Sequence, residues 1–133
     1  MAGKAIIALM LLLQPAQPQD QFDLICTGTQ KTEAGGPARP YEERLRIDLR
    51  TGQFCRGECG RIERFYDVNA LSITLANERK ASGTSSMFVR KTTINRRSGQ
   101  YRHRMIDGRT LSYSSVDAMC ELAEFTPFPE IKF

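Results

Sequence analysis

The sequence predicts an all-β fold: a small antiparallel barrel or sandwich of about seven or eight short strands, held by disulfides and following a cleaved signal peptide. Three observations predict it. Apolar and polar residues alternate with period two in segments that recur about every eight to twelve residues. Helical periodicity is weak throughout. Four cysteines, all downstream of an apolar leader, are enough for two bridges. With 133 residues, 41% hydrophobic and 26% charged, the chain has the composition of one globular domain and excludes wholesale disorder.

The leader comes first. Lys4 supplies a positive start, residues 5–13 are unbroken apolar sequence, and Gln14-Pro15-Ala16 end the run. That order is the layout of a secretory signal peptide. The run is too short for a membrane span, which needs about 20 apolar residues. A buried N-terminal helix is the competing reading, but Pro15 and Pro18 stop such a helix. Cleavage is expected near Ala16, although Gln14 is not the small residue usual at its position. Cys26 is too distant from the leader for a lipid anchor. Residues 1–16 are thus read as signal peptide and 17–133 as a single β-rich domain, located in the periplasm or outside the cell and without a transmembrane anchor.

Within that domain, residues 22–29 form a first, weakly patterned strand, and residues 31–40 carry the Gly, Pro and Lys of a solvated loop. Residues 41–50 are the clearest element. Tyr41, Leu45, Ile47 and Leu49 share one face, while Glu42, Arg44, Arg46, Asp48 and Arg50 share the other. Glu43 interrupts the apolar face and is expected at its rim. Thr51-Gly52 turns the chain toward Cys55 and Cys59. Residues 61–68 form a further weak strand. Leu71, Ile73 and Leu75 then alternate with Ser72, Thr74 and Ala76, and residues 77–86 read as a second loop. Residues 87–95 and 100–106 make a hairpin across Arg96-Arg97-Ser98-Gly99, whose glycine suits the left-handed position such a connection needs. Asp107-Gly108 is the next turn, leading into residues 110–116. Residues 115–125 fit a helix or a last strand equally well. Phe125, Phe128 and Phe133 alternate with Pro127 and Pro129 in an end that is expected to fold back and plug the open end of the sheet.

Four cysteines allow three pairings. Cys55–Cys59 is favoured as a short clip, with Cys26–Cys120 tying the two ends of the domain. Chain entropy gives the long loop roughly 4.7 kcal/mol and the short one about 2 kcal/mol. A four-cysteine zinc site is the rival, since Cys-x3-Cys lies within ligand spacing. It is disfavoured because Cys26 and Cys120 stand alone in sequence and export favours oxidation.

Catalytic signals are sparse. His103 is the sole histidine and shares a strand face with Tyr101 and Met105. A catalytic imidazole needs a nucleophile and an orienting carboxylate, and no Gly-x-Ser-x-Gly or His-Glu-x-x-His motif accompanies it. Glu42 and Glu43 are adjacent on a strand and point to opposite faces, so they do not form an acid/base pair. No phosphate-cradling glycine loop and no spaced ligand set suggests a nucleotide, metal or other cofactor.

Charge is the strongest anomaly. Arg90, Lys91, Arg96, Arg97, Arg102, Arg104 and Arg109 face a single acid, Asp107, between positions 90 and 109. That segment carries +6 in a chain of +4, so the remainder sums to −2. Such a hairpin steers polyanions: envelope phosphates, anionic lipids or nucleic acid. Nucleic acid is disfavoured, because only Phe88 and Tyr101 offer bases a stacking partner and export separates the chain from it. The competing reading is a solvated face that keeps strands from pairing edge to edge.

The strand Leu45-Arg46-Ile47-Asp48-Leu49, the Cys55 and Cys59 pair, Leu71-Ser72-Ile73-Thr74-Leu75, the hairpin Ile94-Asn95-Arg96-Arg97-Ser98-Gly99-Gln100-Tyr101, and Cys120 with Pro127-Phe128-Pro129 together resemble a group of small exported proteins of α-proteobacteria, sphingomonad-like in character. That group usually has Trp before its first clip cysteine, where Phe54 stands here. The resemblance implies a periplasmic β-rich domain and no activity. Ser98-Gly99-Gln100-Tyr101 is also similar to the Ser-Gly-x-x-Tyr loop of periplasmic inhibitors of C-type lysozyme, with Tyr101 one position early and in a cationic setting. The expected function is a non-enzymatic binding module that contacts an anionic envelope component through the basic hairpin. The alternative is an envelope protein that docks a protein partner on its tail or an edge strand.

Overall fold

The computed structural model describes residues 20–82 and 86–130. The expected signal peptide at residues 1–16 and Phe133 of the tail lie outside them. The described residues form nine antiparallel strands: β1 (Gln21–Lys31), β2 (Arg39–Asp48), β3 (Gln53–Arg56), β4 (Ile62–Arg64), β5 (Asp67–Val68), β6 (Ser72–Ser82), β7 (Ser86–Asn95), β8 (Gln100–Asp107) and β9 (Ser112–Ala123). Among them there is no helix, and hence none long and apolar enough to cross a membrane.

The strands make one sheet in the order β4-β3-β2-β1-β9-β8-β7-β6-β5. Each strand follows its sequence neighbour, and β1 and β9 join in the middle. The sheet curls into a half-barrel because both arms contribute to one core: Phe22, Leu24, Leu45, Ile47 and Phe54 from one side, Ile73, Leu75, Ile94, Tyr101, Val116 and Ala118 from the other. The edges β4 and β5 approach each other without pairing. Phe65 N–H donates to Gly52 O and Tyr66 N–H donates to Thr74 O, so this short segment reaches from one edge to the other at one end of a seam. β5 covers only Ile73 and Thr74 of β6. A bulge at Leu75 bends β6 just where that cover stops.

Alternation along β2 places Leu45 and Ile47 in the core, as the sequence pattern requires. Three expectations are corrected. Residues 77–86 are not a loop: most of them extend β6 into a long ribbon paired with β7, from Asn77↔Lys91 to Ser82↔Ser86. Their polar composition hid the strand, because a ribbon with much of its surface in water shows no alternation. Residues 61–68 break into β4 and β5 at Phe65-Tyr66, which cross the seam. Residues 110–116 and 115–125 merge into a single strand, β9 (Ser112–Ala123), resolving the helix-or-strand ambiguity.

Cys26 pairs with Cys120 and Cys55 with Cys59. The first bridge joins directly opposed residues of β1 and β9, where the two arms meet. Tight contact there also explains two glycines. A Cβ on Gly28 would lie 2.1 Å from Asp117 O, and one on Gly99, whose φ is +78°, would lie 2.6 Å from Cys120 O.

The tail folds back, but onto the outer face of β1 and β2 rather than into an open end. Asp23, Arg44 and Arg46 alternate with core residues and so point outward. Asp23 accepts from Arg44 Nε and from the Thr126 backbone and hydroxyl, and Arg46 donates to Pro127 O. Phe125 and Phe128, which flank Thr126 and Pro127, pack edge to face. A buried carboxylate needs such partners, and the tail provides them.

Candidate functional site

Strand register decides where each cation of the basic segment goes. Lys91 lies directly opposite Arg104, Thr93 opposite Arg102, and Arg102 opposite Asp117. Lys91, Arg102 and Arg104 therefore share the outer face of β7–β9, while Thr92, His103 and Tyr101 point inward. Asp117 takes Arg104 in a two-oxygen contact at 3.0 Å and Arg102 Nε at 3.6 Å. One acid thus serves two arginines, and Lys91 has no ion pair among the described residues.

The other members of the segment separate. Arg90 turns inward and pairs with Glu78 at 2.6 Å. Arg96 and Arg97 sit at the β7–β8 turn, where Arg96 donates to Asn69 O at 2.8 Å. Arg109 lies at the β8–β9 turn, about 25 Å of strand away. The basic segment therefore places three cations on one face and two more at one tip, with Arg90 and Arg109 apart from both.

Inside the sheet lies a polar network that sequence reasoning did not find. Glu43 is not at a rim: it accepts from Arg56 Nη1 at 3.1 Å and from the Tyr41 hydroxyl. The same Arg56 nitrogen donates to the Tyr101 hydroxyl at 3.1 Å, and Arg56 Nε lies 3.8 Å from Glu63. Tyr101 is 2% exposed and stacks on Tyr41 at 6.0 Å. Burial pushes the Tyr101 phenol above its usual range, with Glu43 and Glu63 adding to the shift and Arg56 opposing it. Burial works against the Arg56 charge, yet Tyr101 and Glu43 more than offset it and hold its pKa above the ordinary value. A signal did exist: an acid on an apolar strand face requires a cation, and Arg56 follows the first clip cysteine.

His103 Nδ1 is 2.7 Å from Thr92 Oγ1. Its pKa is pushed down to about 4, first by burial and then by the charges of Arg56, Arg90 and Arg104. The imidazole is neutral at physiological pH, with a threonine hydroxyl where an orienting carboxylate would stand in a base relay. Among the described residues no group of three His, Cys, Asp or Glu side chains is placed to hold a metal.

Next to His103, the seam between β4 and β6 opens into a cleft of about 480 Å³. Phe54, Phe65 and Leu75 give it an apolar wall, and Arg61, Arg64 and Arg90 stand around it. Phe54 and Phe65 stack at 5.2 Å.

No protein-family model matches the chain. No curated protein matches it. No solved structure matches it. Tyr101 points into the core instead of standing at the tip of its hairpin.

Proposed function

We propose that this chain is an exported, non-enzymatic binding module that contacts an anionic component of the cell envelope through the outer face of β7–β9. The observation that carries the reading is the placement of Lys91 directly across from Arg104, with Arg102 beside them and Asp117 the one acid in ion-pair contact with the two arginines among the described residues. Like charges directly opposed on a sheet destabilise it by a few tenths to about 1 kcal/mol. A merely solvated face is better served by alternating signs. A polyanion laid along this face relieves the repulsion, and Arg96 and Arg97 at the tip extend the contact. The two disulfides support a periplasmic or extracellular location, because such bridges persist in oxidising compartments.

Replacing Arg96, Arg97, Arg102 and Arg104 together by Gln tests this reading. The native protein should be retained on an anionic matrix and released by about 0.5 M salt, where exposed charges are screened beyond about 4 Å. The variant should pass through unretained. An unchanged elution position refutes the proposal, and retention that survives high salt favours a protein partner instead.

A further inference from the structure

The cleft at the seam has no role in that reading, yet it is unevenly furnished. Arg56, Arg61, Arg64 and Arg90 line it against Glu63 and Glu78. Arg56 is committed to Glu43 and Tyr101. Glu78 engages only Nη2 of Arg90, and Arg90 Nε is buried without a hydrogen-bond partner. Glu78 thus engages Arg90 from one side only, and the Arg90 side chain stays 38% exposed where it lines the cleft. Arg61 and Arg64, exposed at the mouth, have no ion pair among the described residues. The stacked pair Phe54 and Phe65 also lines it. At about 480 Å³ the cleft falls within the size range of small-molecule sites.

We propose that this cleft binds a small monocarboxylate with a ring-sized apolar body, its carboxylate paired with Arg61 and Arg64 at the mouth and with the exposed side of Arg90, its body lying against Phe65, which stacks on the buried Phe54. Carboxylate oxygens match the edge of a guanidinium. Glu63 and Glu78 leave room for one added negative charge and disfavour a dianion. The cleft lies on the inner side of the sheet, so this assignment does not depend on the cationic outer face.

His103 lines the same cleft and is the sole histidine, which makes it a reporter in the intact oxidised protein. The experiment follows the His103 Cε1–H resonance while benzoate, benzyl alcohol or phenyl phosphate is added to millimolar concentration. Benzoate is expected to give a saturable shift and to raise the His103 pKa from about 4, because a bound anion offsets the cations around the ring. Benzyl alcohol should leave the resonance in place, and phenyl phosphate should bind more weakly than benzoate. Arg90→Gln and Arg64→Gln should each weaken benzoate about tenfold or more, while Arg109→Gln, at a distant turn, leaves it unchanged. Absence of a saturable benzoate shift overturns the proposal. So does an equal response to benzyl alcohol, tighter binding of phenyl phosphate, or benzoate binding unchanged in both Arg90→Gln and Arg64→Gln.

Discussion

Replacing Asp23 by alanine removes a carboxylate that is wholly buried, although it points to the outer side of β1. Its oxygens accept from Arg44 Nε at 2.6 Å, from Thr126 Oγ1 at 2.7 Å and from the Thr126 backbone N–H at 3.1 Å. Hydrogen bonds to a charged group contribute about 1.5–3 kcal/mol each, but three of them do not add. Arg44 is 42% exposed and regains water when its partner is lost. Thr126 regains water only if the tail lifts away, which also strips cover from Phe125 and Phe128 and breaks the contact of Arg46 with Pro127 O. The expected net loss is about 2–4 kcal/mol, a lowering of the urea midpoint by about 1–2 M for a domain of this size. Asp23→Asn, which keeps an acceptor without the charge, should fall between. A double-mutant cycle with Thr126→Val isolates the pair, and its coupling should be about 1–2 kcal/mol. Limited proteolysis should cut the tail of Asp23→Ala faster than that of the native protein. Stability within about 0.5 kcal/mol of native, or strict additivity with Thr126→Val, would refute the argument that this carboxylate pins the tail.

Two further outcomes are expected. Replacing Cys26 and Cys120 together by alanine should cost about 4–5 kcal/mol, against about 2 kcal/mol for Cys55 with Cys59, because the bridges span 94 and 4 residues; equal losses in urea unfolding would contradict the chain-entropy account. The folded-state pKa of His103 is depressed to about 4 from 6.5, so the unfolded chain binds the extra proton between those values. The contribution of neutral His103 is therefore complete above about pH 6.5, declines as pH falls, and is gone below about pH 4. After allowance for a half-exposed ring it amounts to about 1–2 kcal/mol. His103→Gln should flatten the stability profile across that window, and a profile of unchanged slope would show that the imidazole does not titrate as its surroundings require.

How much of this was legible in the chain depends on the range of the interaction concerned. The strand at residues 41–50 declared itself because its inner positions face a core and its outer positions face water, which imposes period two. The ribbon of β6 and β7 did not: residues such as Glu78, Arg79 and Lys80 are held by backbone pairing with Arg90, Val89 and Phe88, and such pairing leaves no hydrophobic signature. The cations of residues 90–109 were plain in the sequence. Their division was not, since register with β6 and β9 turned Arg90 toward Glu78 and gave Arg102 and Arg104 to Asp117.

The sequence by itself determined the all-β class, the hairpin between residues 87 and 106, and the excess of positive charge. Local alternation, turn chemistry and composition act within a few residues and can be read there. Only the tertiary structure decided that the sheet curls so that Glu43 meets Arg56 and Tyr101, that the tail seats Thr126 on Asp23, and that β4 and β6 stand apart to leave a cleft beside His103. Those contacts join residues 13 to 103 positions apart. They form because the two arms of the sheet bury one core, and nothing in the local pattern of either arm specifies what the other brings to it.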